Sequence, residues 1–220
     1  MDLSSVGLGF PDNLMSIFGY KRMQTNIIAI GCAARVGKDS LAKILEKKLK
    51  SHGFSVIRYS LATPLKQECD EFLLKNFHIS AFTENDYEKD IIRPILVAVG
   101  GAHRKQTEGT YFTKLASKFI EDNPNNFCII PDLRYAFFPD DEITWLKRNN
   151  GMFIYLDRKD KFGNLTPPAN KDEEENSIKL SQLADIRFEW NDFCEDKKYA
   201  EAQTEGLDRE ILEYFDLCQK

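Results

Sequence analysis

A short apolar run, Asn26–Ile30 (NIIAI), passes directly into Gly31-Cys32-Ala33-Ala34-Arg35-Val36-Gly37-Lys38 and then into a helical stretch, Ser40 to Lys50. No other feature of the 220-residue chain restricts its fold as strongly. The run is rich in β-branched residues and suits a strand buried on both faces. Leu41, Ile44, Leu45 and Leu49 recur at three- to four-residue spacing with lysines opposite, the pattern of an amphipathic helix. Between strand and helix, G-x-x-x-x-G-K supplies what a phosphate cradle requires. Small residues let backbone amides curl around the anion, the helix N-terminus adds its positive end, and Lys38 reaches the outer phosphates. Gly31, Ala33, Ala34, Arg35, Val36, Gly37, Lys38, Asp39 and Ser40 are therefore the expected phosphate-binding residues.

One position departs from the usual loop. Asp39 stands where a Ser or Thr hydroxyl ordinarily binds Mg²⁺, and Ser40 follows about 100° further round the helix. A carboxylate is a hard oxygen ligand that suits Mg²⁺, so Asp39 or Ser40 is the expected metal contact.

Further along, Phe54–Ser60, Phe127–Ile130, Met152–Leu156 and Ile186–Trp190 read as strands. Helices are expected from Thr63 to about Phe77, over Asp140–Asn149 and over Leu207–Cys218. Residues 78 to 122 read as mainly helical with a break at Gly100–Gly101, and Lys159–Glu175, with Gly163, Pro167 and Pro168, reads as a long loop or lid. Strands separated by helices, without repeats, imply an α/β domain with a parallel sheet wrapped by helices and joined by right-handed crossovers. Residues 1–25 are expected to be an extension and 26–220 the domain.

The net charge of −5 disfavours a non-specific nucleic-acid binder, yet a phosphate pocket needs only a local cluster of basic residues. Five dispersed cysteines without a CxxC pair point away from a disulfide framework or zinc site and towards a reducing cytoplasm. No apolar run approaches the ~20 residues of a membrane span.

Taken together, the loop, Ser60-Leu61-Ala62-Thr63-Pro64-Leu65-Lys66, Ile92-Arg93-Pro94-Ile95-Leu96 with Gly100, Arg104 and Tyr111-Phe112, and Asp132-Leu133-Arg134-Tyr135 resemble the deoxynucleoside monophosphate kinases of bacteriophages. Glu174-Glu175-Asn176 and Ala184-Asp185 resemble their C-terminal pattern, while Asn170-Lys171-Asp172-Glu173-Glu174 departs from a His-x-Ser-Glu-like tract. The similarity spans about residues 26 to 215. It implies a three-layer P-loop NTPase fold with a helical acceptor-binding insertion (about 78–122) and a lid (about 158–175). It further implies transfer from ATP, with Mg²⁺, to a dNMP in an infected bacterium's cytoplasm, and a homodimer.

Phosphoryl transfer is mainly positioning and charge neutralisation, so basic groups should dominate the site. Lys38, Asp132, Arg134 and Arg158 are the expected catalytic residues, and Asp132, just beyond a strand end, is also a candidate to hold the Mg²⁺ shell. Lys66, Arg93, Arg104, Tyr111 and Glu175 are the acceptor candidates, Arg104 as a guanidinium clamp on the monophosphate. A P-loop kinase for another phosphorylated acceptor, or an ATPase module driving a partner protein, are the competing readings. The absence of a Glu beside Asp132 weighs against the module.

Overall fold

The computed structural model describes residues 25–31, 35–168, 171–194 and 196–217. The expected extension up to residue 24, Ala33, Ala34 and Cys218 lie outside them.

Five strands, β1 (Asn26–Gly31), β2 (Val56–Arg58), β3 (Phe127–Leu133), β4 (Met152–Lys159) and β5 (Ile186–Asn191), form one sheet in the order β2-β3-β1-β4-β5. Every pairing is parallel. Helices α1 (Lys38–Ser51), α7 (Lys197–Gln203) and α8 (Leu207–Tyr214) cover one face, where Ile28 and Ile30 of β1 meet Leu41, Leu45, Ala200 and Ile211. The other face, carrying Ile27 and Ala29, packs on α2 (Ala62–Phe77), α3 (Asp86–Gln106), α4 (Thr110–Glu121), α5 (Glu142–Arg148) and α6 (Lys171–Leu183). This is a three-layer α/β architecture of the P-loop type.

The alternation of β1 side chains between two cores explains why the strand is apolar from Ile27 to Ile30: both faces are buried there. The step from β1 to β2 passes over the α1 face, and the steps towards β5 pass over the other, so all crossovers share one hand. β1 and β3 are therefore adjacent strands whose following connections leave on opposite faces. Their carboxyl ends form the switch point where open α/β sheets take ligands.

Several boundaries differ from expectation, each for a local reason. α3 runs through Gly100 and Gly101, and the break falls at residues 107–109, where Gly109 turns the chain with φ +93°. Gly100 serves packing instead: a Cβ there would lie 3.1 Å from Leu65 Cδ2 and 3.2 Å from Arg104 Nη1. β3 extends to Leu133, so Asp132 lies inside the strand. The register with β1 slips between Ala29 and Gly31, a bulge in β3 that accommodates Pro131, which has no amide to donate.

The stretch expected as a lid, 158–175, divides into three parts. β4 continues to Lys159, paired with Asn191 of β5; a turn and an isolated bridge from Lys159 to Leu165 follow; and α6 begins at Lys171. Among the described residues no helix is long and apolar enough to cross a membrane.

Candidate active site

Two cavities open side by side at the carboxyl end of the sheet. The first, about 620 Å³, is the phosphate-loop side, and it is lined by six basic side chains (Arg35, Lys38, Lys89, Arg93, Arg134, Arg158) against three acidic ones (Asp39, Asp86, Asp192). In a chain of net charge −5, this reverses the local sign and favours a polyanion. The second, about 280 Å³, has an apolar wall including Leu61, Leu65, Ile92, Leu96 and Phe112 and a polar end made by Lys66, Arg104, Asp132, Arg134, Tyr135 and Glu142. Lys89, Arg93 and Arg134 line both cavities and form their common boundary.

The phosphate loop is held from below. Gly37 has φ +93°, and a Cβ on it would meet Trp190 Cζ2 at 2.5 Å. Trp190 is buried in β5 and donates from Nε1 to the Val36 carbonyl at 2.8 Å. A side chain at position 37 thus conflicts both with the backbone and with the indole that supports it. Gly31 is constrained by space alone, since its Cβ would lie 2.6 Å from the Phe153 ring and 2.8 Å from the Leu133 carbonyl. Lys38 is buried in the first turn of α1, Asp39 is exposed and Ser40 half-buried.

Arg158 donates to the Arg35 carbonyl at 3.3 Å and to Asp192 Oδ1 at 2.7 Å, tying β4 and the residues after β5 to the loop. The Cys194 amide, then Arg158, hold the Asp192 carboxyl below the usual range. Arg158 is therefore a brace at the loop's edge as well as one of its cations.

Asp132 performs a different task from the one expected. Its Oδ1 accepts from the Leu61 amide at 2.9 Å, and its Oδ2 from Ser60 Oγ at 2.6 Å and the Ala62 amide at 3.0 Å. It caps the N-terminus of α2 from a neighbouring strand, the service that Leu61, at the cap position, cannot provide. It lines the smaller cavity, whereas Asp39 and Ser40 are among the oxygen-bearing residues that line the phosphate-loop cavity. Asp132 and burial together push the Tyr59 hydroxyl up to about 12, burial being the larger cause.

Arg104 also differs from expectation. Its Nη2 donates to Glu142 Oε1 at 2.7 Å, and its guanidinium carbon lies 3.6 Å from the Tyr135 ring centroid and 4.5 Å from that of Phe112. Its charge is paired with Glu142, and two aromatic rings pack against it. It forms the floor of the smaller cavity and is no free clamp for phosphate. Arg93, held loosely by Asp90 at 3.3 Å, Arg134 and Lys89 are the cations at the boundary with the larger cavity. Lys66 lines the same cavity, its Nζ 5.6 Å from the Phe82 ring.

Two acceptor candidates are not brought to either cavity. Tyr111 stacks on His103 with centroids 4.0 Å apart, and its hydroxyl donates to Glu68 at 3.4 Å. Glu175 is exposed on α6, while its neighbour Asn176 is buried and accepts from the Ala136 amide at 3.2 Å.

The sequence reading missed Glu142, Trp190, Lys89 and Asp192. Lys89 was recoverable, because it precedes Arg93 by one helical turn. Glu142 was not: an acidic residue in a helix's first turn is ordinary. Here it is fully buried, with Oε2 accepting from the amides of Arg134 at 2.7 Å and Tyr135 at 3.1 Å. Burial pushes its carboxyl up, and Arg104 opposes that. Asp141 accepts from the amides of Phe137 at 3.2 Å and Phe138 at 3.3 Å, so five successive amides, 134 to 138, are each satisfied by a side chain.

A nucleotide with Mg²⁺ fits the residues of the larger cavity. Among the described residues no three His, Cys, Asp or Glu side chains gather as a ready-made metal site. Mg²⁺ there would take one or two protein oxygens from Asp39 or Ser40, with phosphate and water supplying the others, as this ion ordinarily does. Compared with known proteins, the chain matches no family model, and no curated protein is significantly similar to it.

Proposed function

We propose that this chain is an ATP-dependent kinase of deoxynucleoside monophosphates, yielding dNDPs and ADP for phage DNA synthesis in a bacterial cytoplasm. The observation that carries the reading is the shared boundary. A basic phosphate-loop cavity and a half-apolar cavity abut, and Lys89, Arg93 and Arg134 face both. Such a site suits two phosphorylated ligands whose phosphates meet and whose remaining parts differ in polarity.

In this reading Lys38 and the loop amides hold the donor's β- and γ-phosphates. Arg134, Arg93 and Lys89 neutralise charge on the transferring group and on the acceptor phosphate, and they hold the two in line. The apolar wall takes the acceptor's base against the Arg104–Tyr135 floor. Mg²⁺ bound with the nucleotide supplies further charge neutralisation at the phosphates. Lys38 on α1, Arg134 directly after β3 and Arg158 on β4 are anchored to the sheet and the helix that follows its central strand, so they stand in place before transfer, which is what electrostatic catalysis demands.

A coupled assay with ATP, Mg²⁺ and each of the four common dNMPs tests this. ADP should form with at least one, and Lys38→Ala should lower the rate by roughly 100-fold or more. The same dNMP at about 100 times its Kd should stabilise the chain by about 2.7 kcal/mol. ADP formation with none of the four refutes the proposal.

A further inference from the structure

Beyond Leu133 the chain has no regular structure at residues 134–136, yet this is where Arg134 and Tyr135 must present their side chains to the cavities. What holds it is a closed circuit of contacts. Glu142 accepts from Arg104 Nη2 through one oxygen and from the Arg134 and Tyr135 amides through the other. Arg104 lies on the Tyr135 ring, and Tyr135 returns to Glu142 through its amide. The Glu142 side chain is 1% exposed, so water does not compete for these bonds. Each member restrains the next, and removing the carboxylate opens the circuit at three points.

We propose that Glu142 is a positioning residue for the acceptor: it sets where the Tyr135 ring and the Arg134 side chain stand, without touching the reacting atoms. This rests on the kinase reading above. Of the phosphate-loop cavity's lining only Arg134 belongs to this circuit; the rest is built by α1 and the residues before it, α3, β4 and the residues after β5. The larger effect therefore falls on the smaller cavity, which Arg104, Arg134, Tyr135 and Glu142 all line. The expected signature is therefore a split between the two substrates. A merely structural role would affect both alike.

Glu142→Gln is the discriminating variant. Glutamine preserves the shape but offers one acceptor oxygen to donors on two sides, so either Arg104 or the amide pair loses its partner. With wild type and E142Q compared in steady state, KM for the accepted dNMP should rise tenfold or more while KM for ATP stays within twofold. Hydrogen exchange at the 134 and 135 amides should accelerate at least tenfold, with β1 amides unchanged. Should E142Q fail to fold, the double variant R104M/E142Q removes both buried charges together, which buried pairs commonly tolerate, and should show the same KM split. Equal changes in both KM values, no change in either, or unchanged amide exchange would overturn the proposal. A wild-type chain that phosphorylates none of the dNMPs overturns the kinase reading and this inference with it; an active wild type with an unaffected E142Q overturns the inference alone.

Discussion

Gly37→Ala should destabilise the chain by about 2–5 kcal/mol, from two separable causes. The backbone at position 37 has φ +93° and ψ 28°, in the left-handed region, where an L-residue loses about 1–2 kcal/mol. The new methyl would also sit 2.5 Å from Trp190 Cζ2. That atom belongs to a ring held by its bond to the Val36 carbonyl and by full burial, so it cannot swing aside, and overpacking of this kind costs about 1–3 kcal/mol. Trp190→Phe removes Cζ2. In that background the alanine should cost only the backbone share, about 1–2 kcal/mol. Urea unfolding of wild type, both single variants and the double variant yields the coupling energy, expected at about 1–3 kcal/mol. Thermal shift with ATP on the same four proteins reports whether the loop still closes. Additivity within about 0.5 kcal/mol would refute the contact between loop and indole.

Two further outcomes follow from the buried groups. Arg104→Met leaves Glu142 without its counter-charge and should cost about 3–5 kcal/mol at neutral pH. Because burial already raises the Glu142 pKa and Arg104 opposes the rise, the variant's folded value climbs further above the unfolded one. The native state then keeps a proton the unfolded chain has released, so stability falls as pH rises from the ordinary carboxylate range to the raised value. Urea titrations at pH 5 and pH 8 should show the larger deficit at pH 8; a pH-independent deficit refutes the assignment. Among the described cysteines, Cys128 is wholly buried, with its thiol pushed up to about 12, and Cys194 is exposed at the phosphate-loop cavity. Iodoacetamide followed by mass spectrometry should label Cys194 before the buried Cys69 and Cys128, more slowly with ATP present, and Cys128 only in urea. Indifference of Cys194 to ATP would refute the proposal that ATP binds in this cavity.

The first βα unit was legible because three signals coincide there: an apolar run with buried alternate faces, a glycine pattern with one chemical use, and a 3.6-residue apolar period. Elsewhere single signals misled. Gly100–Gly101 looked like a helix break, but glycine here lets α3 approach Leu65 while the chain turns later, at Gly109. Lys159–Glu175 looked like one long loop because it is polar and carries Gly163, Pro167 and Pro168. Residues 160–168 do lack helix and strand apart from the bridge at Leu165, but Lys171–Glu175 belong to α6, whose start carries no apolar residue to betray it. At the site, residues on the loop and on strand ends were found from position in the chain. Asp132's cap on α2 and Glu142's hold on Arg104 join residues 70 to 72 and 38 positions apart, respectively, and local pattern carries no trace of such pairings.

The two jaws of this site differ in stiffness. One is the sheet's central strand with Trp190 beneath it. The other is α3, which has 21 residues and only Ile92 and Gly100 fully buried, and in which Pro94 withholds the hydrogen bond owed to the Asp90 carbonyl. A vise with one fixed and one compliant jaw tightens from the compliant side, so on the kinase reading α3 is the part that would yield as phosphates draw Lys89 and Arg93 inward. Drift in what this chain grips can accumulate along that helix while the anvil opposite stays as it is.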